Sequence, residues 1–284
     1  MSIRRAFADL SHGQMHYRHG GEGAFAGAAD ALLVLHPSPV SSRQMVRMVE
    51  GLVPLGRVIA PDTAGCGDSD PLLQEAPAIA DYAAALRDLM DALGLGRVLV
   101  YGMHTGAAIA AELAILAPDR VVGVVVDGLS DFQGAGLEDV LAHYAPPFAA
   151  DLDGAGLARL FQFCRDQFLF FPWYARSAAA RRDTGLPPPD DLYGWVGEVM
   201  KARGSYARAY HAAFRWRGRE RLPLVACPMV ITCGANDPLY AATDNVARDA
   251  GVGLRPLPRF DASDYAAARR DLILALAQPD FGPA

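Results

Sequence analysis

The sequence is poor in cysteine, and the few cysteines it has do not form a motif. Cys66, Cys164, Cys227 and Cys233 are scattered over 284 residues without a CxxC pair. This spacing argues against a zinc or dithiol site and is typical of free thiols in a reducing compartment. We therefore expect a cytoplasmic protein without disulfides.

Long apolar runs, basic clusters and nucleotide-binding motifs are also absent. No stretch approaches the roughly 18 apolar residues of a membrane span, and no apolar run of a secretory signal follows the two N-terminal arginines. The net charge of −6 is spread along the chain, which argues against nucleic acid as a partner. Because GxGxxG, GxxxxGK[ST] and HExxH do not occur, we expect no nucleotide, flavin or metal cofactor.

Apolar residues are abundant and follow the pattern of an α/β protein. They make up 52% of the chain against 20% charged residues, which is enough for one large core. Between residues 31 and 128, short apolar runs alternate with segments of helical periodicity. Strands without polar alternation are typical of a parallel sheet covered on both faces.

This alternation stops between residues 130 and 222. The segment has no apolar strand run and contains all three tryptophans and most of the phenylalanines. The strand pattern resumes with "PMVITCG". We predict a core formed by residues 1–129 and 223–284, with residues 130–222 inserted as a helical cap that places aromatic rings over a pocket.

Four motifs follow predicted strands in order: "LLVLHPSP", "VIAPDTAGCGDSD", "GMHTG" and "MVITCGANDP". In this order they resemble the oxyanion loop, the glycine-rich loop, the nucleophile elbow and the acid-bearing loop of the α/β-hydrolase superfamily. The resemblance covers nearly the whole chain apart from the insertion. It implies a mostly parallel, twisted sheet of about eight strands with helices on both faces.

The centre of the elbow departs from the family pattern. The tight turn between strand and helix, "VLVYGMHTGAAIAAELA", carries His104 where many of these enzymes have a serine. The family also has a histidine after a late strand, where this chain reads "RFDASDY". A complete Ser-His-Asp triad is therefore excluded at these positions.

His104 remains able to act as a base. The positive end of the following helix should keep its imidazole neutral near pH 7. The Thr105 N–H is one candidate oxyanion donor; the second is Ser38, because Pro37 has no N–H. Met103 precedes His104 and is counted with the substrate-binding residues.

Three carboxylates are candidate partners of His104. Asp237 follows the strand that carries the acid in the family and is the favoured partner; Asp261 is the second candidate and Asp127 the third. His36 ends the strand before the oxyanion loop. It is counted with the substrate-binding residues, although bonding to the loop backbone is the favoured interpretation.

These residues predict a cofactor-free enzyme that acts on a small, mainly apolar carbonyl or ester substrate by hydrolysis or C–C cleavage. An imidazole nucleophile is a less favoured route. The alternatives are an inactive relative that binds a hydrophobic ligand, and a serine hydrolase that uses Ser38. The oligomeric state is left open, a homodimer included.

Overall fold

The computed structural model describes residues 2–278, which form an eight-stranded sheet in the order β1-β2-β4-β3-β5-β6-β7-β8. The strands β1 to β8 are, in chain order, Arg4–Leu10, Gly13–Gly20, Ala31–Leu35, Val58–Pro61, Val98–Met103, Val121–Asp127, Met229–Gly234 and Leu254–Leu257. β2 pairs antiparallel with β1 and β4, and all other pairs are parallel. The predicted fold class is confirmed.

Helices connect the strands and also form the long segment between β6 and β7. Within the described residues, α1 to α10 are Val46–Leu52, Ile79–Ala92, Thr105–Leu116, Gly134–His143, Ala155–Asp166, Pro189–Lys201, Tyr206–Arg215, Gly218–Arg221, Tyr240–Asp249 and Tyr265–Leu276. None of these helices is long and apolar enough to cross a membrane.

The central strands are apolar on both faces because both faces are covered. All five residues of β3 are buried. Leu33 packs with α2 and α3 on one face, and Leu32 packs with α1 and α10 on the other. The absence of polar alternation in the sequence thus corresponds to a sheet between two helical layers.

Residues 130–222 contain α4 to α8 and contribute no strand to the eight-stranded sheet. Their aromatic side chains form a separate cluster around Tyr144, Phe163 and Tyr206, in which ring centroids lie 5 to 6 Å apart. Such ring pairs add stability beyond the area that they bury. The insertion therefore has a core of its own.

The turn from β5 into α3 requires two glycines. A Cβ on Gly102 would overlap the carbonyl group of Gly106, and a Cβ on Gly106 would lie 2.6 Å from the carbonyl oxygen of Leu35 in β3. Backbone atoms cannot move aside as a flexible side chain can. The close approach therefore fixes α3 against the sheet and sets the direction of the residue between strand and helix.

We expect Gly102→Ala to lower the free energy of unfolding by about 3 kcal/mol or more, because the added methyl group meets backbone on α3. Urea denaturation of the variant and the wild type measures the difference. Gly197→Ala is the matched control: Gly197 is exposed on α6 with no atom near its Cβ position, so alanine there should stabilise by about 0.5–1 kcal/mol. Equal effects at the two positions would contradict this account of the turn.

Candidate active site

His104 lies between the last residue of β5 and the first residue of α3. Its backbone has φ 52° and ψ −112°, a conformation that costs free energy for a residue with a Cβ. The His104 N–H donates to the Asp127 carbonyl at 2.8 Å, and its own carbonyl accepts from the Ala107 N–H at 2.9 Å. The strained turn is therefore held from both sides, and the imidazole projects from a fixed backbone.

The imidazole of His104 pairs with the carboxylate of Asp237, which follows β7. Nε2 and Oδ2 are 2.9 Å apart, with the histidine side chain 27% exposed and the aspartate 8%. Since a carboxylate only accepts, Nε2 is the donor and Nδ1 is left as the possible acceptor in the neutral ring. The other oxygen of Asp237 accepts the Leu239 N–H at 2.8 Å, which fixes the carboxylate.

The pKa of the imidazole depends on burial and on the neighbouring carboxylate. Burial favours the uncharged ring, but the adjacent Asp237 carboxylate outweighs it and raises the pKa of His104 above its usual value. Burial would likewise raise the pKa of Asp237, whereas the pairing with His104 holds it below its usual value.

A cavity of about 280 Å³ opens in front of His104 and is walled by both the sheet edge and the insertion. Aromatic rings from the insertion form most of its far side, where Phe132, Tyr144, Phe171 and Trp195 are examples. A volume of this size fits a small organic molecule. An apolar pocket with one titratable pair is the arrangement expected of an active site.

The other predicted residues of the β5 and β3 loops also line the cavity. Met103, Thr105 and Ser38 are all among its walls. Thr105 is the first residue of α3, where N–H groups have no partner within the helix. The Ser38 hydroxyl is buried without a hydrogen-bond partner among the described residues. The structure therefore brings all three residues to the cavity that His104 lines.

His36 is not a substrate-binding residue, and its place in that set is corrected. Its Nδ1 donates to the Pro37 carbonyl at 2.9 Å and its Nε2 accepts the Thr63 N–H at 2.8 Å, so the backbone uses both ring nitrogens. The side chain is 1% exposed, and burial lowers the pKa of the imidazole. His36 joins two loops, as the favoured interpretation had it.

Asp261 does not face His104, and its place among the catalytic candidates is corrected. It lies on the exposed loop after β8, where its carboxylate accepts from the Arg259 guanidinium at 3.0 Å. This arginine, two residues earlier in the chain, holds the acid at the surface. From the same loop, Phe260 reaches the cavity wall instead.

Asp127, the third acid candidate, is buried beneath the turn. The Tyr101 hydroxyl donates to its carboxylate at 2.5 Å, and burial raises the pKa of Asp127 to about 6. The Arg269 guanidinium lies over the Tyr101 ring, 5.7 Å from its centroid. The backbone carbonyl of Asp127 accepts the hydrogen bond from the His104 N–H, and its carboxylate accepts the one from the Tyr101 hydroxyl.

Sequence reasoning missed several polar groups in the cavity, of which Arg182 and Gln167 are two. Both come from the insertion and line the cavity with His104. Arg182 follows an irregular stretch after α5, where no periodicity indicates which residue turns inward. Its only sequence signal is a charge within an aromatic-rich segment.

One group of acidic and histidine side chains has the spacing of metal ligands. His16, Asp62 and Asp68 place ligand atoms within 4.8 Å of one another. Asp62 already accepts from His16 Nδ1 at 2.8 Å and from the Ser42 and Asp68 N–H groups at 2.8 and 3.0 Å. We interpret this group as the network that ties the glycine-rich loop to β2.

The cavity thus lies at the carboxyl ends of the parallel strands of an α/β fold. The family model of the alpha/beta hydrolase fold matches residues 30–251, so the chain belongs to this family. A 2-hydroxy-6-oxononadienedioate/2-hydroxy-6-oxononatrienedioate hydrolase of Pseudomonas putida is 35% identical over 130 residues, 44% of this chain and 43% of that protein. The similarity to this relative thus spans less than half of its length.

Further relatives and solved structures agree with this placement. A 2-hydroxy-6-oxo-6-phenylhexa-2,4-dienoate hydrolase of Comamonas testosteroni is 32% identical over 124 residues, 42% of this chain and 41% of that protein. The enol-lactonase from Burkholderia xenovorans LB400 superposes with a TM-score of 0.68 at 20% identity, covering 95% of this chain and 96% of that chain. At this identity the structural likeness shows the fold alone.

Proposed function

We propose that the chain is a cofactor-free enzyme that hydrolyses or cleaves a small carbonyl compound or ester, with His104 as the base. His104 stands where the family has its nucleophile, and residues 130–222 act as a cap that limits access of water. The pair of His104 with Asp237 inside a cavity is the observation that carries this proposal.

The neutral ring supplies the base. While Nε2 donates to Asp237, Nδ1 accepts a proton from water or from a carbon or hydroxyl next to the substrate carbonyl. The Asp237 carboxylate stabilises the imidazolium that forms and holds the ring in one tautomer. In hydrolysis the hydroxide that forms adds to the carbonyl carbon, and the bond from that carbon to its leaving oxygen or carbon then breaks. Nδ1 returns the proton to the leaving atom, which restores the neutral base.

The negative charge that develops on the carbonyl oxygen needs donors close to this base. Thr105 supplies its N–H at the positive end of α3, and Ser38 supplies its hydroxyl from the opposite loop. Both residues are mostly buried, where such donors act more strongly than in water. The same hole serves a tetrahedral intermediate or an enolate, so it suits either reaction.

The proposed function predicts turnover in a panel of aryl esters, lactones and β-diketones, measured by product formation. Thermal-shift measurements with the same compounds separate an enzyme from a receptor, because a receptor is stabilised by compounds that are recovered unaltered. A fluorophosphonate probe tests the serine alternative, and we expect no covalent mass increase on Ser38. Stabilisation without turnover, or labelling of Ser38, would contradict the proposal.

A further inference from the structure

The outer edge of the sheet at β1 carries backbone groups that no other strand of the described chain pairs. β1 comes first in the sheet order, so β2 is its one neighbouring strand within residues 2–278. The strand runs for seven residues, Arg4–Leu10, without a proline. A row of unpaired N–H and C=O groups is a template on which a further strand can pair.

The opposite edge of the sheet is less suited to such pairing. β8 has four residues, and one of them is Pro256, which has no N–H to donate. Short length and proline are two of the ways in which folded proteins keep edge strands from pairing. β1 has neither, so it is the edge of this sheet that can accept another strand.

The hydrogen bonds of β2 show which residues of β1 face the outer edge. His16 lies opposite Phe7, but its N–H donates to the Ser69 hydroxyl at 2.9 Å and its carbonyl accepts the Asp62 N–H at 2.9 Å. Both groups of His16 therefore point away from β1. In an antiparallel ladder the partner of such a residue also points outward, and hydrogen-bonded pairs alternate with these pairs. The backbone groups of Phe7 and of the residues two positions before and after it thus face the outer edge.

The side chains of these three residues form a symmetric pattern of cation, ring and anion. Arg5, Phe7 and Asp9 are all exposed, Phe7 to 53%. Arg5 lies opposite Arg18 of β2, and neither arginine has a carboxylate within 4.0 Å among the described residues. Like charges directly opposite each other destabilise a strand pair. Oδ1 of Asp9 accepts from the Gln14 amide at 2.8 Å, which leaves its other oxygen for a second donor.

We propose that β1 pairs antiparallel with β1 of a second copy of this chain, about a two-fold axis at Phe7. In this register Arg5 of each copy lies opposite Asp9 of the other, and the two Phe7 rings meet at the axis. Each of these pairs exchanges two backbone hydrogen bonds. A shift by two residues would place Phe7 opposite a charged residue and leave charges unpaired, so the charges select the register.

The size of the contact sets the expected affinity. A standard interface buries about 1,200–2,000 Å² in total, and one pair of strand edges supplies only part of that area. We therefore expect a weak dimer with a Kd of about 1–100 μM. Sedimentation velocity of the wild type between about 1 and 200 μM should show the change from monomer to dimer. A wild type that stays monomeric over this range would overturn the proposal.

Charge reversal tests the register directly. Arg5→Asp places carboxylates opposite each other at both charged pairs, and Asp9→Arg places guanidinium groups opposite each other, so each variant alone should bind itself at least 10-fold more weakly than the wild type does. In an equimolar mixture of the two variants, a carboxylate lies opposite a guanidinium at both pairs. The mixture should therefore dimerise with a Kd within about 3-fold of the wild type.

Two further variants and a stability measurement complete the test. Phe7→Lys places two ammonium groups at the axis and should abolish the dimer, whereas Leu224→Lys, at an equally exposed position just before β7, should leave it unchanged. Arg5→Asp should not lower the melting temperature, because it removes a like-charge pair with Arg18.

Two results would overturn the proposal even if the wild type dimerises. A dimer that persists in all three β1 variants would place the contact on another surface. Single variants that remain monomeric when mixed would reject the register in which opposite charges pair.

Discussion

Replacement of His104 by alanine is expected to lower kcat/KM by about 10²- to 10⁴-fold, the range that a positioned general base contributes. The imidazole is the one titratable ring among the described residues that both lines the cavity and is paired with a buried carboxylate. His104→Ser should be equally inactive, because the chain has no histidine at the loop after β8 to activate a serine. Steady-state kinetics on a substrate from the panel measures both losses.

Two controls distinguish loss of the base from loss of the fold. His104→Gln keeps an amide that can bond to Asp237 but cannot accept a proton, so it should be inactive with a melting temperature close to that of the wild type. His143→Ala removes an exposed histidine on α4 whose hydrogen bonds within residues 2–278 go to Asp139, and its activity should be unchanged. Wild-type turnover in His104→Ala would remove His104 from the mechanism.

The meeting of His104 and Asp237 was predictable because both follow parallel strands. β5 and β7 end at the same edge of the sheet, separated only by β6, so the residues that follow them lie close together. The close glycines around the turn were predictable for the same reason, since "GMHTG" joins a strand directly to a helix. Where residues follow regular strands directly, the sequence therefore predicts which of them lie close together.

The position of Asp261 was not predictable from its place after β8. Its carboxylate could bond either to His104 across the sheet or to an arginine in its own loop. The sequence does not show which of these two partners it binds. The structure shows the local partner, Arg259, which also bonds to the Asp183 carboxylate of the insertion at 2.5 Å. An interaction from a distant segment therefore helps to decide where a loop side chain points.

The direction of the Arg182 side chain could not be predicted from the sequence, for a related reason. The stretch between α5 and α6 has no repeating pattern, and it is held by contacts such as the Arg182 N–H with the Leu169 carbonyl at 2.9 Å. The direction of a side chain in such a stretch depends on packing across the insertion. The effect of Asp237 on the pKa of His104 could not be predicted, because the sequence gives the helix terminus but not the short distance between the two side chains.

The largest effect expected outside His104 is that of Asp237→Asn, which should shift the acid limb of the kcat/KM profile to lower pH. A general base works when it is deprotonated, so activity rises with pH through the pKa of His104. In the wild type the Asp237 carboxylate raises this pKa above its usual value by stabilising the charged ring. Without that charge, burial remains and lowers the pKa of the ring. The midpoint of the limb should therefore move to lower pH.

The same variant should lose about 10²- to 10⁴-fold in kcat on the plateau, because asparagine neither stabilises the imidazolium nor fixes the tautomer that leaves Nδ1 free. Asp261→Asn is the matched control, since its carboxylate is exposed and bound by Arg259; its profile should equal that of the wild type. Burial raises the pKa of Asp127 to about 6. Its charge raises the pKa of His104, and the charge of Arg182 lowers it. Asp127→Asn therefore measures how much of the acid limb is due to Asp127. An unchanged limb in Asp237→Asn together with a displaced limb in Asp127→Asn would show that Asp127, and not Asp237, sets the pKa of His104.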